Sequence, residues 1–230
     1  MFDADFLAIL GLGFLLGARH ALDADHIAAV STLLSTRPRL HTYGFIGLCW
    51  GLGHTFTLLM VGLAVIFLKV AIPLPVAQML EVGVGVMLVV LGGSLAWTIY
   101  RDRWHLHTHE HDGAHHVHLH RHQEQDDHHH PHWMRLSVRP LCIGMVHGLA
   151  GSAALLLIVL STVQTLGQGI LYITVFGIGS IIGMVLIGLL VSIPLVLSAT
   201  YGGRAQTLMQ GLASVGSVAL GIMIIVRNGF

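Results

Sequence analysis

The chain has 230 residues, 54% of them hydrophobic and only 10% charged, and its formal charge is zero with histidine neutral. A soluble domain carries about 25% charged residues, so an ordinary soluble domain is excluded and an integral membrane protein expected. The balanced charge offers nothing to nucleic acid or to an acidic partner.

The first residues, Met1-Phe2-Asp3-Ala4-Asp5, are acidic. A cleaved signal peptide opens on basic residues, so the first apolar run is expected to stay in the mature chain. Apolar runs of about 20 residues mark membrane spans, and six are expected: 6–34, 43–68, 76–99, 141–163, 169–199 and 207–226. The first and fifth are long enough to tilt, kink or break, and Pro194 is placed to kink the fifth. Pro73 and Pro75 punctuate the turn before the third span, and Pro140 sits where a helix-starting proline belongs. Cys49 and Cys142 lie in or beside apolar runs and read as structural, with no disulfide framework.

The first span is interrupted by Arg19-His20-Ala21-Leu22-Asp23-Ala24-Asp25-His26. Each Asp or Arg costs roughly 2.5–3.5 kcal/mol at the centre of a span, so the cluster reads as a site inside the membrane. Two imidazoles beside two carboxylates suit a divalent transition metal. In an unbroken helix, at about 100° per residue, His20, Asp23 and His26 share one face, Asp25 points away, and Arg19 pairs with Asp23 at i, i+4. An unwound helix would let all five side chains converge. In the second span His54, flanked by Gly51 and Gly53, is the next ligand candidate. In the fourth, His147 is an accessory candidate alongside Arg19.

A weak internal repeat runs through the spans. Gly17-Ala18-Arg19-His20-Ala21-Leu22 matches Gly144-Met145-Val146-His147-Gly148-Leu149, Trp50 to His54 matches Phe176 to Ser180, and Leu91-Gly92 matches Leu220-Gly221, at an offset of about 127 residues. Three spans per unit force the two copies into opposite orientations, the inverted-repeat plan of secondary transporters. The acidic positions are not repeated: Asp23, Asp25 and His26 correspond to Ala150, Ser152 and Ala153. Gly13/Gly17, Gly47/Gly51, Gly144/Gly148 and Gly179/Gly183 all stand at i, i+4, a spacing that lets helix backbones approach closely in lipid.

The linker over 101–139 is different in kind. It holds thirteen of the 18 histidines, between His105 and His132, mixed with Asp and Glu. Without apolar periodicity it is expected to be disordered, and dense neutral imidazoles bind Ni²⁺, Co²⁺, Cu²⁺ or Zn²⁺. Eight cations fall on its side of the spans (Arg37, Arg39, Arg101, Arg103, Arg121, Arg135, Arg139, Arg204) against Lys69 and Arg227 on the other. The positive-inside rule then puts the linker in the cytoplasm and both termini outside.

The expected architecture is therefore an all-α integral membrane protein of six transmembrane helices in two inverted three-helix repeats. Residues 1–100 form the first membrane half, 101–139 the His-rich linker and 140–230 the second half, in a bacterial inner membrane. His20-x-x-x-x-Asp25-His26, within Arg-His-Ala-Leu-Asp-Ala-Asp-His-Ile, resembles the signature of the nickel/cobalt transporter family, and Gly53-His54-Thr55 resembles its second motif. Gly144 to Leu157 looks more like the short, urease-accessory-type members, and the His-rich linker is similar to that of nickel/cobalt efflux proteins. The resemblance implies a secondary permease with Ni²⁺ or Co²⁺ as transported substrate and no prosthetic group. His20, Asp23, Asp25, His26 and His54 would be the metal site. The expected partners are the divalent ion and the lipid bilayer, with cytoplasmic metallochaperones and a second copy of the chain as further candidates. Efflux is the alternative direction. A metal sensor or assembly protein and a membrane metalloenzyme are the alternatives of another class. Neither a phosphate-binding Gly-x-x-x-x-Gly-Lys loop nor a His-Glu-x-x-His pair is present.

Overall fold

A computed structural model describes residues 4–35, 40–68, 72–102, 106–111, 114–119, 137–150 and 165–229. Seven helices run through them: α1 (Ala4–His20), α2 (Ala24–Leu34), α3 (Leu40–Leu68), α4 (Leu74–Asp102), α5 (137–150), α6 (Leu166–Thr200) and α7 (Gly203–Gly229). Four of them (α3, α4, α6 and α7) are long and apolar enough to cross a membrane, and the bent pair α1–α2 counts as a fifth if it is one broken span. Their outward faces carry Leu15, Phe56, Met79, Val90, Leu190 and Val215, all exposed. Apolar surface on this scale is tolerable only against lipid. The protein is a multi-pass, helical integral membrane protein.

One open expectation is decided and one changes. The first run, long enough to tilt, kink or break, breaks: α1 and α2 meet over residues 21–23 and are bent by 51°. The linker, expected to lack structure, contains a two-stranded antiparallel ribbon, β1 (Leu106–His111) and β2 (Ala114–Leu119), which pairs His107 with His118 and His109 with His116 in register. The fourth run is described over 137–150. Its remainder to residue 163, and Arg37, Arg39, Lys69, Arg103, Arg121 and Arg135, lie outside the described residues.

Close helix crossings follow from the paired glycines. A Cβ on Gly17 would strike the carbonyl of Phe176, and one on Gly144 would strike the carbonyl of Trp50. Gly179 stands in the same way against the carbonyl of Phe14, and Gly53 against that of Leu141. These contacts hold α1 on α6 and α5 on α3, backbone against backbone. Along α3, Gly47 meets Met184 and Gly51 meets Ile181, so α3 and α6 run antiparallel. Gly85 against Gly221, and Gly92 against Ser214, make α4 and α7 antiparallel too.

Hydroxyl groups add cross-helix hydrogen bonds. Ser214 Oγ donates to the carbonyl of Gly92 (2.8 Å) and Ser217 Oγ to that of Leu88 (2.9 Å). Thr55 Oγ1 donates to the carbonyl of Gly177 (3.2 Å). The main core cluster joins the α1–α2 break to three long helices through Ala21, Val30, Tyr43, Trp50, Leu88 and Met184, and it positions what lies at the break.

Candidate metal centre

The break is written in the local sequence. Arg19 and His20 occupy the last turn of α1, where cations meet the negative end of the helix dipole. Asp25 lies in the first turn of α2, where a carboxylate meets the positive end. Asp23 takes an extended conformation (φ −62°, ψ 146°) as the N-cap of α2 and makes no side-chain cap. The chain turns through the hydrogen bonds Leu22 N to Arg19 O (2.8 Å) and Asp23 N to His20 O (3.1 Å). Irregular backbone at membrane depth is tolerated where it lines a polar site.

The break changes which side chains converge. The unbroken-helix reading put Asp23 on the metal face and turned Asp25 away. In the structure Asp25 turns inward and Asp23 is 56% exposed. Three non-helical residues between α1 and α2 reset the 100° phase on which that reading depended. The Asp23 carboxylate pairs with His20 Nδ1 (2.7 Å), not with Arg19, which is exposed.

Four imidazoles gather behind the break. His26, His54 and His147 are fully buried, on α2, α3 and α5, and His20 at the end of α1 is half-buried. Ring centroids are 4.7 Å apart for His20–His26, 5.2 Å for His20–His54, 5.3 Å for His26–His54 and 4.4 Å for His26–His147. Asp25 bridges two of them: one oxygen is 3.1 Å from His26 Nδ1 and the other 2.9 Å from His147 Nε2. The His26 amide also donates to Asp25 (3.0 Å).

Two sets of donor atoms are spaced for a metal ion: His20, His26 and His54, and Asp25, His26 and His147. Within each set the atoms lie within 4.8 Å of one another. An ion held at about 2.1 Å needs its donors within about 4.2 Å, so side-chain shifts of a few tenths of an ångström would close either set. Buried nitrogens are left over for the purpose. His26 Nε2, both ring nitrogens of His54 and His147 Nδ1 have no hydrogen-bond partner among the described residues. A buried polar atom without a partner costs roughly 1–3 kcal/mol, a cost that a bound ion would remove. A carboxylate behind each of two histidines fixes their rings and strengthens them as ligands.

Of the residues singled out in the sequence, His20, Asp25, His26, His54 and His147 come together. Asp23 reaches the site only through His20, and Arg19 stays outside. Three others were not singled out as site residues. Trp50 packs against His26 (5.2 Å) and His147 (5.7 Å), Phe176 flanks His20 (5.9 Å), and the buried Oγ of Ser180 is unpartnered among the described residues. Trp50 matches Phe176 and His54 matches Ser180 in the repeat, the one sequence signal that could have pointed to them.

The model of the family described as high-affinity nickel-transport protein matches residues 6–227. The chain is similar to the urease accessory protein UreH of Bacillus sp. (strain TB-90), with 40% identity over 199 residues, 86% of this chain and 82% of that one. No solved structure matches.

Proposed function

The chain belongs to the family of high-affinity nickel-transport proteins, a family of transporters and not of enzymes, and from that premise we propose that it is a secondary permease that brings Ni²⁺ into the cell, with Co²⁺ as a second substrate. One observation carries the reading. Imidazole nitrogens of the half-buried His20 and the buried His26 and His54, from three helices, converge at a helix break. These imidazoles would replace part of the ion's water shell, and nickel is among the metals that imidazole suits. The carboxylate of Asp25 behind them would offset the dication in a medium of low dielectric.

Six spans in two inverted three-helix halves fit the packing. Gly17 on the carbonyl of Phe176 and Gly144 on the carbonyl of Trp50 exchange places under the repeat, as do Gly53 on Leu141 and Gly179 on Phe14. Rocking of one half against the other would open the site to each side in turn. The cations of the linker side favour a cytoplasmic linker and external termini in a bacterial inner membrane. A cytoplasmic metallochaperone would be the natural receiver. The relative's name as a urease accessory protein favours import, because an accessory to an enzyme supplies it. Export is the second reading, favoured by the thirteen histidines of the 105–132 segment on that same side.

The test is ⁶³Ni²⁺ accumulation at nanomolar metal in cells expressing the protein, beside cells expressing His26→Ala. Import predicts accumulation above the empty vector that vanishes in the variant. Accumulation below the vector, restored by the variant, would establish export through the same site. Equal accumulation in all three strains would reject the permease.

A further inference from the structure

His26 belongs to both sets of donor atoms, one with His20 and His54 and one with Asp25 and His147. The first set lies within the first three-helix half. The second reaches into the other half through His147 on α5, the repeat counterpart of His20.

The two sets exclude each other chemically. An ionised carboxylate only accepts hydrogen bonds. While Asp25 holds His26 Nδ1 and His147 Nε2, those two nitrogens carry the ring protons. His26 Nε2 is then a buried lone pair without a partner, open to an ion shared with His20 and His54. An ion seated between Asp25 and the two rings would take the nitrogens nearest the carboxylate, His26 Nδ1 and His147 Nε2. Their protons must then sit on His26 Nε2 and His147 Nδ1, the two nitrogens now unpartnered. Each ring loses one proton and regains one, so both stay neutral. With its proton on Nε2, His26 has no lone pair left for His20 and His54.

We propose that the centre is two successive stations for a single ion: His20, His26 and His54 first, then Asp25, His26 and His147, with His26 handing the ion over by exchanging its tautomer. This rests on the permease reading. It makes His147 a ligand for the passage from one half to the other, and Asp25 the group that sets which nitrogen of His26 faces the ion. Trp50, packed against both His26 and His147, walls the second station.

The test measures Ni²⁺ bound to the purified full-length protein by equilibrium dialysis. The count for His26→Ala, which loses both stations, is subtracted so that binding by the linker cancels. One ion is expected, and a difference of two would overturn the proposal. His54→Ala and His147→Ala should each keep that one ion, and the double variant should keep none. Retention by the double variant would also overturn it. In proteoliposomes with an imposed nickel gradient, His147→Ala should lower flux by about 10–100-fold, the scale of disturbing a metal site. His147→Gln, which keeps more of the side-chain volume, should behave alike and guards against a folding defect. Wild-type flux in both would end the proposal. If the wild-type protein itself carries no nickel, the permease reading fails, and the ion counts still judge the two stations.

Discussion

The crossing of α1 with α6 and the crossing of α5 with α3 share their backbone packing and differ in their chemistry. In each, a glycine takes a carbonyl of the facing helix where a side chain would otherwise stand: Gly17 on Phe176 and Gly144 on Trp50. The polar content is one-sided. Residues 20–54 contribute His20, Asp25, His26 and His54, while the positions that align with them about 127 residues later in the sequence are His147, Ser152, Ala153 and Ser180. The same backbone packing can thus stand at two crossings while the candidate ligands gather mainly from one part of the chain. Helix packing tolerates no Cβ at such a contact, whereas one good ligand set suffices for one ion.

If the two crossings are equivalent as packing, they should fail alike, and this is the largest effect expected. Gly17→Val and Gly144→Val each drive a side chain into a backbone carbonyl that cannot retreat. Overpacking costs about 1–3 kcal/mol where side chains can yield, and more is expected here. Both variants should lose the monodisperse peak in detergent and the thermal transition of the wild type. A normal transition in one of them would break the equivalence.

If the crossings differ as chemistry, matched positions should give unequal kinetics. His54→Ala removes a buried ligand candidate and should cut nickel flux by about 10–100-fold, the scale of disturbing a metal site. Ser180→Ala, at the matching position, should change it less than about twofold, because a small exchange leaves the imidazoles in place. Equal losses from the two would show that Ser180 takes part in holding the ion.

The same inequality should appear between the two carboxylates at the break. Asp25→Asn replaces an acceptor that faces two imidazoles by an amide that can donate, so one ring is forced to the wrong tautomer. Nickel affinity should fall about tenfold or more. The Asp23 side chain is 56% exposed, and its carboxylate pairs with His20. Exposed pairs of this kind contribute about 0–1 kcal/mol, so Asp23→Asn should weaken affinity no more than about fivefold. Dialysis against Ni²⁺ decides, and a larger loss for Asp23→Asn would restore the reading in which it faces the ion.

That reading shows what the sequence could and could not carry. The apolar runs, the glycine pairs and the cluster between Arg19 and His26 were legible because length, spacing and the cost of charge in lipid are local properties. His54 and His147 were found because an imidazole in an apolar run stands out. The inward turn of Asp25 was legible only as one of two outcomes, the one that follows if the helix unwinds. It depends on the three residues at which α1 stops and α2 starts, and face assignments drift by 100° for every residue that leaves the helix. Trp50 and Phe176 were hidden for another reason: an aromatic residue in a span looks like lipid-facing or core surface until the tertiary structure sets it beside the imidazoles. The histidine-rich linker was read from composition as lacking structure, and composition is blind to the strand register of β1 and β2.

The smallest effect lies away from the candidate site, at the pairing of α4 with α7, where Gly85 meets Gly221 and Gly92 meets Ser214. Ser214 Oγ donates to the carbonyl of Gly92, and Ser214 and Ser217 are both buried. That carbonyl already accepts within its own helix, so Ser214→Ala strands no acceptor and removes one neutral hydrogen bond. The cost should be about 1 kcal/mol, seen as a small drop in the midpoint of thermal unfolding in detergent, with nickel flux unchanged. A flux defect at unchanged stability would mean that α4 and α7 slide against each other during transport. The comparison would then have to extend from the two crossings at the ion site to this third one.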